Sequence, residues 1–297
     1  MATISRRDFL SHSTATVGAL AAARVLTAAT PPPIRKLTSG ADQVTLGRTG
    51  IKSSLVGLGT GSVGVRRSSN QVKLGQEKFT RLVRHAFDSG ITYFDTADQY
   101  GSHIFLREAL RGIPREKLFI QTKTRATSAE VAKFDLDRFR EELGTDYLDS
   151  LLMHCMTKGS WPTDFRPVMD VLSDAKAKGW VRAVGVSFHG MDPLRATAGC
   201  DWVEIDLARI NPVGGDPGRM DGSPSDVAEC LRAMHQKGKG ILGMKILAEG
   251  SLKTVDRQLE SLRFVLGLGC VDAMVIGFES PEQIDQIMSR VETVLKA

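Results

Sequence analysis

The sequence predicts a closed barrel of eight alternating β-strands and α-helices, a (β/α)8 fold, preceded by a short β-hairpin. Three observations carry this. From Leu55 onward, short β-branched or apolar runs alternate eight times with longer amphipathic ones, and such alternation means a parallel sheet. The chain has 297 residues, and the eight units occupy nearly all of it beyond the first thirty, close to the ~250 residues typical of such a barrel. The turn Gly57-Leu58-Gly59-Thr60-Gly61-Ser62 lacks the third glycine of G-x-G-x-x-G, which an open doubly wound sheet would prefer.

In chain order, the hairpin falls over 44–52, with Gly47-Arg48-Thr49-Gly50 at its turn. Strands are expected at 55–60, 91–95, 118–123, 147–154, 181–187, 202–207, 240–245 and 271–277. Helices are expected at 76–89, 128–143, 166–178, 225–237, 252–266 and 281–296. In the first of these Phe79, Leu82, Val83, Ala86 and Phe87 recur at spacings of three and four. Gly90, Gly144, Gly179, Gly238 and Gly267 stand where left-handed C-terminal caps are wanted.

Composition narrows the function. Hydrophobic residues make 42% and charged ones 25%, which excludes a disordered or collagen-like chain. The 39 Lys+Arg are scattered, with no basic run, so no nucleic-acid partner is expected. Cys155, Cys200, Cys230 and Cys270 form no C-x-x-C pair. That argues against a zinc or iron–sulfur site and for buried free thiols. No apolar stretch is long enough for a stable membrane span, which needs about 20 residues.

Residues 1–29 read as an address. Ser5-Arg6-Arg7-Asp8-Phe9-Leu10 precedes an Ala/Thr/Gly-rich stretch, Arg24, and small residues before Pro31-Pro32-Pro33. This resembles a twin-arginine export signal. The resemblance implies engagement of the twin-arginine translocase and a periplasmic location. Residues 30–43 would then be a linker and 44–297 the barrel. Without 1–29 the net charge falls from +5 to +3.

In a barrel the chemistry gathers at the carboxyl ends of the strands. Asp95 ends the second strand and Tyr100 follows in its loop; Lys123 ends the third strand and His154 the fourth. Singly each has an ordinary explanation: a loop cap, a packing aromatic, a snorkelling lysine, a satisfied core histidine. Their coincidence at successive strand ends makes a candidate site.

Asp95-Thr96-Ala97 through Tyr100-Gly101, Gln121-Thr122-Lys123, Leu152-Met153-His154 and Gly185-Val186-Ser187 together resemble the aldo/keto reductase superfamily, from about Val44 to the C-terminus. The resemblance implies an NAD(P)H-dependent oxidoreductase that moves hydride reversibly between nicotinamide and a small carbonyl or alcohol. Tyr100 would be the general acid and base, Lys123 its tuner, Asp95 the anchor of Lys123, and His154 the group that orients the carbonyl. Those residue types suit the chemistry. Charge developing on oxygen needs a proton donor, a phenol of pKa near 10 is a sluggish one, and a nearby ammonium stabilises its phenolate. No metal is required, because the cofactor carries the hydride.

The same resemblance sets Gly59, Thr60, Ser187, Lys245, Leu247 and Ser280 against the cofactor, and Trp161 and His189 against the substrate. Three positions depart from the family's pattern: Phe188 replaces an asparagine, Met244 an aromatic and Lys245 a serine. Family habit favours NADP(H) over NAD(H), although Glu279 and Glu282 would repel a 2′-phosphate. Two other classes stay open. One is a Schiff-base lyase or aldolase using Lys123 or Lys245; the other is a non-catalytic barrel that binds cofactor or ligand only.

Overall fold

The computed structural model describes residues 36–297. The twin-arginine segment and the start of the expected linker lie outside the described residues. The stretch 37–42 belongs to the compact unit Leu37–Ala297. Its Asp42 carboxylate accepts the Thr38 and Ser39 amides at 2.6 and 2.9 Å.

The hairpin forms from antiparallel β1 (Gln43–Thr45) and β2 (Lys52–Ser54). Its turn bends through Gly47 and Gly50, at φ 48° and 70°. A Cβ on Gly47 would stand 2.4 Å from the Gly240 nitrogen, so glycine is needed both for conformation and for approach. Leu46 and Ile51 are thereby driven into the barrel's inner core.

The barrel comes next: β3 (Val56–Gly59), α1 (Asn70–Lys73), α2 (Gln76–Asp88), β4 (Tyr93–Asp95), α3 (His103–Leu110), β5 (Phe119–Thr124) and α4 (Ala129–Leu143). Then come β6 (Leu148–Met156), α5 (Trp161–Asp164), α6 (Arg166–Ala177), β7 (Val181–Phe188) and α7 (Met191–Gly199). The chain continues through β8 (Ile205–Arg209), α8 (Gly215–Gly218), α9 (Pro224–Gln236), β9 (Gly240–Met244), α10 (Val255–Gly267), β10 (Ala273–Gly277) and α11 (Pro281–Lys296). Each of the eight strands β3 to β10 pairs in parallel with the next, and β10 closes on β3. The expected (β/α)8 barrel with its leading hairpin is the observed fold.

Two apolar layers hold it. Tyr93, Phe119, Leu152, Ile205 and Leu242 fill the inside, while Phe79, Phe139, Leu172, Leu231 and Ile284 pack strands against helices outside. Helix starts coincide with the side chains that supply caps: Ser128 accepts the Val131 amide for α4, Ser223 the Asp226 amide for α9, and Thr254 the Arg257 amide for α10. Among the described residues no helix is long and apolar enough to cross a membrane. The four cysteines are free thiols, but against the expectation of burial only Cys270 is buried, while Cys155, Cys200 and Cys230 are half-buried.

Candidate active site

Strand periodicity builds the site. Tyr93, Phe119, Leu152, Leu207 and Leu242 face the barrel interior, and successive strand side chains alternate faces. Two or four residues further along each strand stand Asp95, Gln121, Lys123, His154, Arg209 and Met244. They open together at the carboxyl end of the barrel.

Lys123 is 1% exposed, and its ammonium donates to the two oxygens of Asp95 at 2.6 and 2.8 Å and to the Thr96 carbonyl at 2.8 Å. Three donors thus meet three acceptors. The Gln121 amide donates to Asp95 at 2.8 Å and to the Tyr93 hydroxyl at 2.9 Å, fixing the carboxylate from behind. Burial lowers the Lys123 pKa, against the pull of Asp95.

Tyr100 sits on a single helical turn, Asp98–Tyr100. Arg138 of α4 holds that turn by donating to Asp98 at 2.8 Å. The backbone of Gly61 and Gly64 lies against the phenol ring, where a Cβ would come within 2.3 and 2.4 Å of its carbons. On its other sides the ring has the Lys123 ammonium 4.9 Å from its centre and the His154 imidazole edge-on at 5.7 Å. The four residues singled out by sequence therefore converge.

Burial, with the Asp95 charge, raises the Tyr100 phenol well above its usual pKa. Burial, with the charges of Lys123 and Arg125, lowers the His154 imidazole well below its own. The resting site thus holds a protonated phenol and a neutral imidazole. The sequence reading expects Lys123 to lower the phenol, but here the ammonium is committed to Asp95, and burial sets the direction.

Two openings flank this cluster. A groove of about 450 Å³ runs from Tyr100 past Gly59 and Gly61, between Lys245–Leu247 and Gly277, to Arg290 of α11. A pocket of about 240 Å³ lies on the far side, with His154, Arg125, Lys158 and Trp161 in its walls. Tyr100 lines the first opening and His154 the second.

The other sequence-predicted residues divide. Gly59, Lys245 and Leu247 line the groove, and Lys245 is ion-paired to Glu249. Thr60 is fully buried and donates to the Asp95 carbonyl at 2.9 Å. Ser187 is also buried, and its hydroxyl accepts the Cys155 amide at 3.1 Å. Ser280 precedes α11 as its N-cap and makes no side-chain cap bond. Trp161 is buried in the pocket wall. His189 contacts Cys155 at 3.4 Å and takes a hydrogen bond from Arg209 at 2.7 Å. Burial and the Arg209 charge lower its pKa to about 4.

Sequence reasoning missed Gln121, Arg125, Arg209 and Arg290. The first and third lie two residues beyond inward-facing Phe119 and Leu207, a signal the strand pattern carried. Cys155 was passed over because it sits at φ 62° where the β6–β7 register shifts. Such bulges re-aim side chains beside active sites.

The comparisons with known proteins agree with this architecture. Residues 55–263 match the aldo/keto reductase family, and the chain belongs to that family. It is 35% identical over 132 residues to an aldo-keto reductase of Mycolicibacterium paratuberculosis, covering 41% of this chain and 43% of that one. It is 31% identical over 227 residues to L-galactose dehydrogenase of Arabidopsis thaliana, covering 70% and 66% respectively. The chain thus spans less than half the length of the first relative and about two thirds of the second. A solved aldo-keto reductase structure from Pseudomonas aeruginosa superposes with a TM-score of 0.70 at 24% identity, over 87% of this chain and 97% of that one. That likeness concerns the fold.

The groove fits the nicotinamide dinucleotide that the family uses. Its volume lies within the ~300–1,000 Å³ of small-molecule sites. Gly59, Gly61 and Gly277 keep its walls free of side chains; on Gly277 a Cβ would strike the Ser62 hydroxyl at 2.1 Å. The N-terminal turn of α11 lines it through Gln283, and helix N-termini bind phosphate. Lys253 and Arg290 bring cations to the groove, while Lys245 is paired with Glu249 and Glu279 stands opposite in charge. Among the described residues, no group of three or more His, Cys, Asp or Glu is placed to hold a metal.

Proposed function

We propose that this chain is an NAD(P)H-dependent carbonyl reductase and alcohol dehydrogenase in which Tyr100 is the proton donor and acceptor. The observation that carries the reading is the meeting of groove and pocket at the Tyr100–His154 pair, over the buried Lys123–Asp95 pair. Gly59, Leu247, Lys245 and the start of α11 would hold the cofactor, which supplies the hydride when bound. The chain's own residues do the rest. The neutral His154 has a ring N–H to donate to the carbonyl oxygen and fix its direction. As negative charge gathers on that oxygen, Tyr100 delivers its proton, and the Lys123 charge stabilises the phenolate left behind. In the reverse direction Tyr100 takes the alcohol proton.

The Schiff-base alternative needs a free amine. Lys123 has all three protons on acceptors, and Lys245 is paired with Glu249. The test is a fluorescence titration of the chain with NADPH and NADH, and then absorbance decay on adding aldehydes and ketones. Saturable binding with carbonyl-dependent decay is the expected result. Binding without decay across the panel would favour the non-catalytic barrel.

For cofactor choice the reading is NADP(H), with Glu279 as the opposing group. Its carboxylate lines the groove and accepts from Asn70 at 2.8 Å. Glu279→Lys is therefore expected to raise the NADPH-to-NADH affinity ratio about tenfold, or ~1.4 kcal/mol, as measured by the same titration.

The proposal includes export, resting on residues 1–29. Replacing Arg6 and Arg7 together by Lys is expected to retain the protein in the cytoplasmic fraction of a bacterial host, whereas the wild-type chain reaches the periplasm.

A further inference from the structure

Three cations around the reaction centre are balanced by carboxylates. Lys123 is paired with Asp95, Arg209 with Asp221 at 3.4 Å, and Lys245 with Glu249. Arg125, two residues beyond Lys123 at the exit of β5, is exposed and has neither ion pair nor hydrogen bond among the described residues. Its charge nevertheless reaches the centre, since it lowers the pKa values of His154 and His189. On an open surface a lone guanidinium is simply solvated. Arg125 instead forms part of the wall of the 240 Å³ pocket, beside His154 and the Trp161 and Phe165 rings.

Lys158 lines the same pocket and is likewise unpaired among the described residues. One carboxylate stands with them, Asp164, which accepts from the Ser160 hydroxyl at 2.6 Å and pairs with neither cation. Two cations against one carboxylate leave the pocket positive. A guanidinium presents a planar fork matched to a carboxylate, which it can bind through two parallel hydrogen bonds.

We infer that the substrate pocket is built for a small carbonyl compound bearing a carboxylate, with the acid on Arg125 and Lys158 and the carbonyl directed to Tyr100 and His154. The product is then the corresponding hydroxy acid: the carbonyl carbon gains a hydride, its oxygen gains the Tyr100 proton, and the carboxylate is unchanged. The pocket's volume sits just under the range usual for ligand sites, which favours a compact acid over an extended one. This inference rests on the reductase reading for its chemistry, while the anion subsite can be tested without it.

The experiment pairs 4-carboxybenzaldehyde with 4-formylbenzamide, which match in length and differ in charge, and adds calorimetric titration of the cofactor-free chain with benzoate and benzamide. The carboxylate is expected to show at least about tenfold higher kcat/KM than the amide, and benzoate to bind more tightly than benzamide. Arg125→Gln should cut both ratios by about tenfold, chiefly through KM, and Arg125→Lys should restore part of each. Arg125 is exposed, so an unchanged thermal midpoint checks that the variants fold. Equal turnover of the two aldehydes, or a benzoate affinity indifferent to Arg125→Gln, would overturn the inference. Arg125-dependent benzoate binding with no turnover of either aldehyde would keep the subsite and sink the reductase reading instead.

Discussion

Tyr100→Phe is expected to reduce carbonyl-dependent NADPH oxidation by about 10²–10⁴-fold, the contribution usual for a positioned general acid. Affinity for NADPH should fall far less than turnover. The ring's packing is preserved in the variant, because the Gly61 and Gly64 backbone lies against ring carbons that phenylalanine keeps. What is lost is the proton. A variant that retained wild-type turnover would remove Tyr100 from the mechanism and leave the neutral His154 as the remaining donor.

The direction of the Tyr100 shift adds a pH signature. A phenol held well above its usual pKa by burial and Asp95 is protonated throughout the neutral range. Reduction, which uses the phenol as acid, should therefore vary little between pH 6 and about 9 on account of this group. Alcohol oxidation uses the phenolate and should rise steadily through the alkaline range. Initial rates in both directions on one enzyme preparation decide it; parallel profiles would argue against a single shared proton carrier.

Much of this site was legible because a barrel strand converts sequence spacing into direction. Asp95, Lys123 and His154 each end an apolar run, and Tyr100 follows Asp95 closely enough to stay at the same rim. What was not legible came from breaks in that regularity. The sixth barrel strand was expected at 202–207 and lies at Ile205–Arg209. Trp202 resembles a strand residue by composition, but its indole donates to Ser173 of α6 at 2.9 Å and occupies a turn. Ending the expected strand at Leu207 left Arg209, two residues on, outside it, although the inward alternation continues to that residue. Helices α3 and α7, of eight and nine residues, display little more than two turns of the amphipathic pattern. The chain passes α-helically through Gly267, and the left-handed residue is Gly269 at φ 65°. Arg125 carried no signal, because its meaning depends on a pocket wall formed largely by residues 154–165, on a different strand and the loop that follows it.

Removing the Asp149 carboxylate should destabilise the barrel by about 3–5 kcal/mol, as expected for orphaning a buried ion pair. That corresponds to a fall in thermal midpoint on the order of 10 °C for a domain of this size. Asp149 is fully buried, receives Arg115 and Arg182 at 2.6 Å each, and accepts the Ile120 amide at 2.9 Å. Asp149→Ala leaves that amide unpartnered and strands Arg115, which also braces the Leu118 and Tyr147 carbonyls. Asp206 supplies the opposite case. It is equally buried, on the helix-facing side of β8 between Val186 and Ile241, and among the described residues neither carboxylate oxygen has a hydrogen-bond partner. Burial raises its pKa well above the usual carboxylate value, with Lys239 opposing. A carboxyl whose folded pKa is raised stabilises the fold relative to its ionised form only while protonated, so its contribution is full below about pH 4 and declines as pH rises toward the folded value. Asp206→Asn removes that decline. The variant should therefore gain stability relative to wild type between pH 4 and pH 7, while Asp149→Ala loses it at both. Denaturant unfolding of the two variants at those two pH values separates a buried carboxylate that holds the barrel together from one that the barrel merely tolerates.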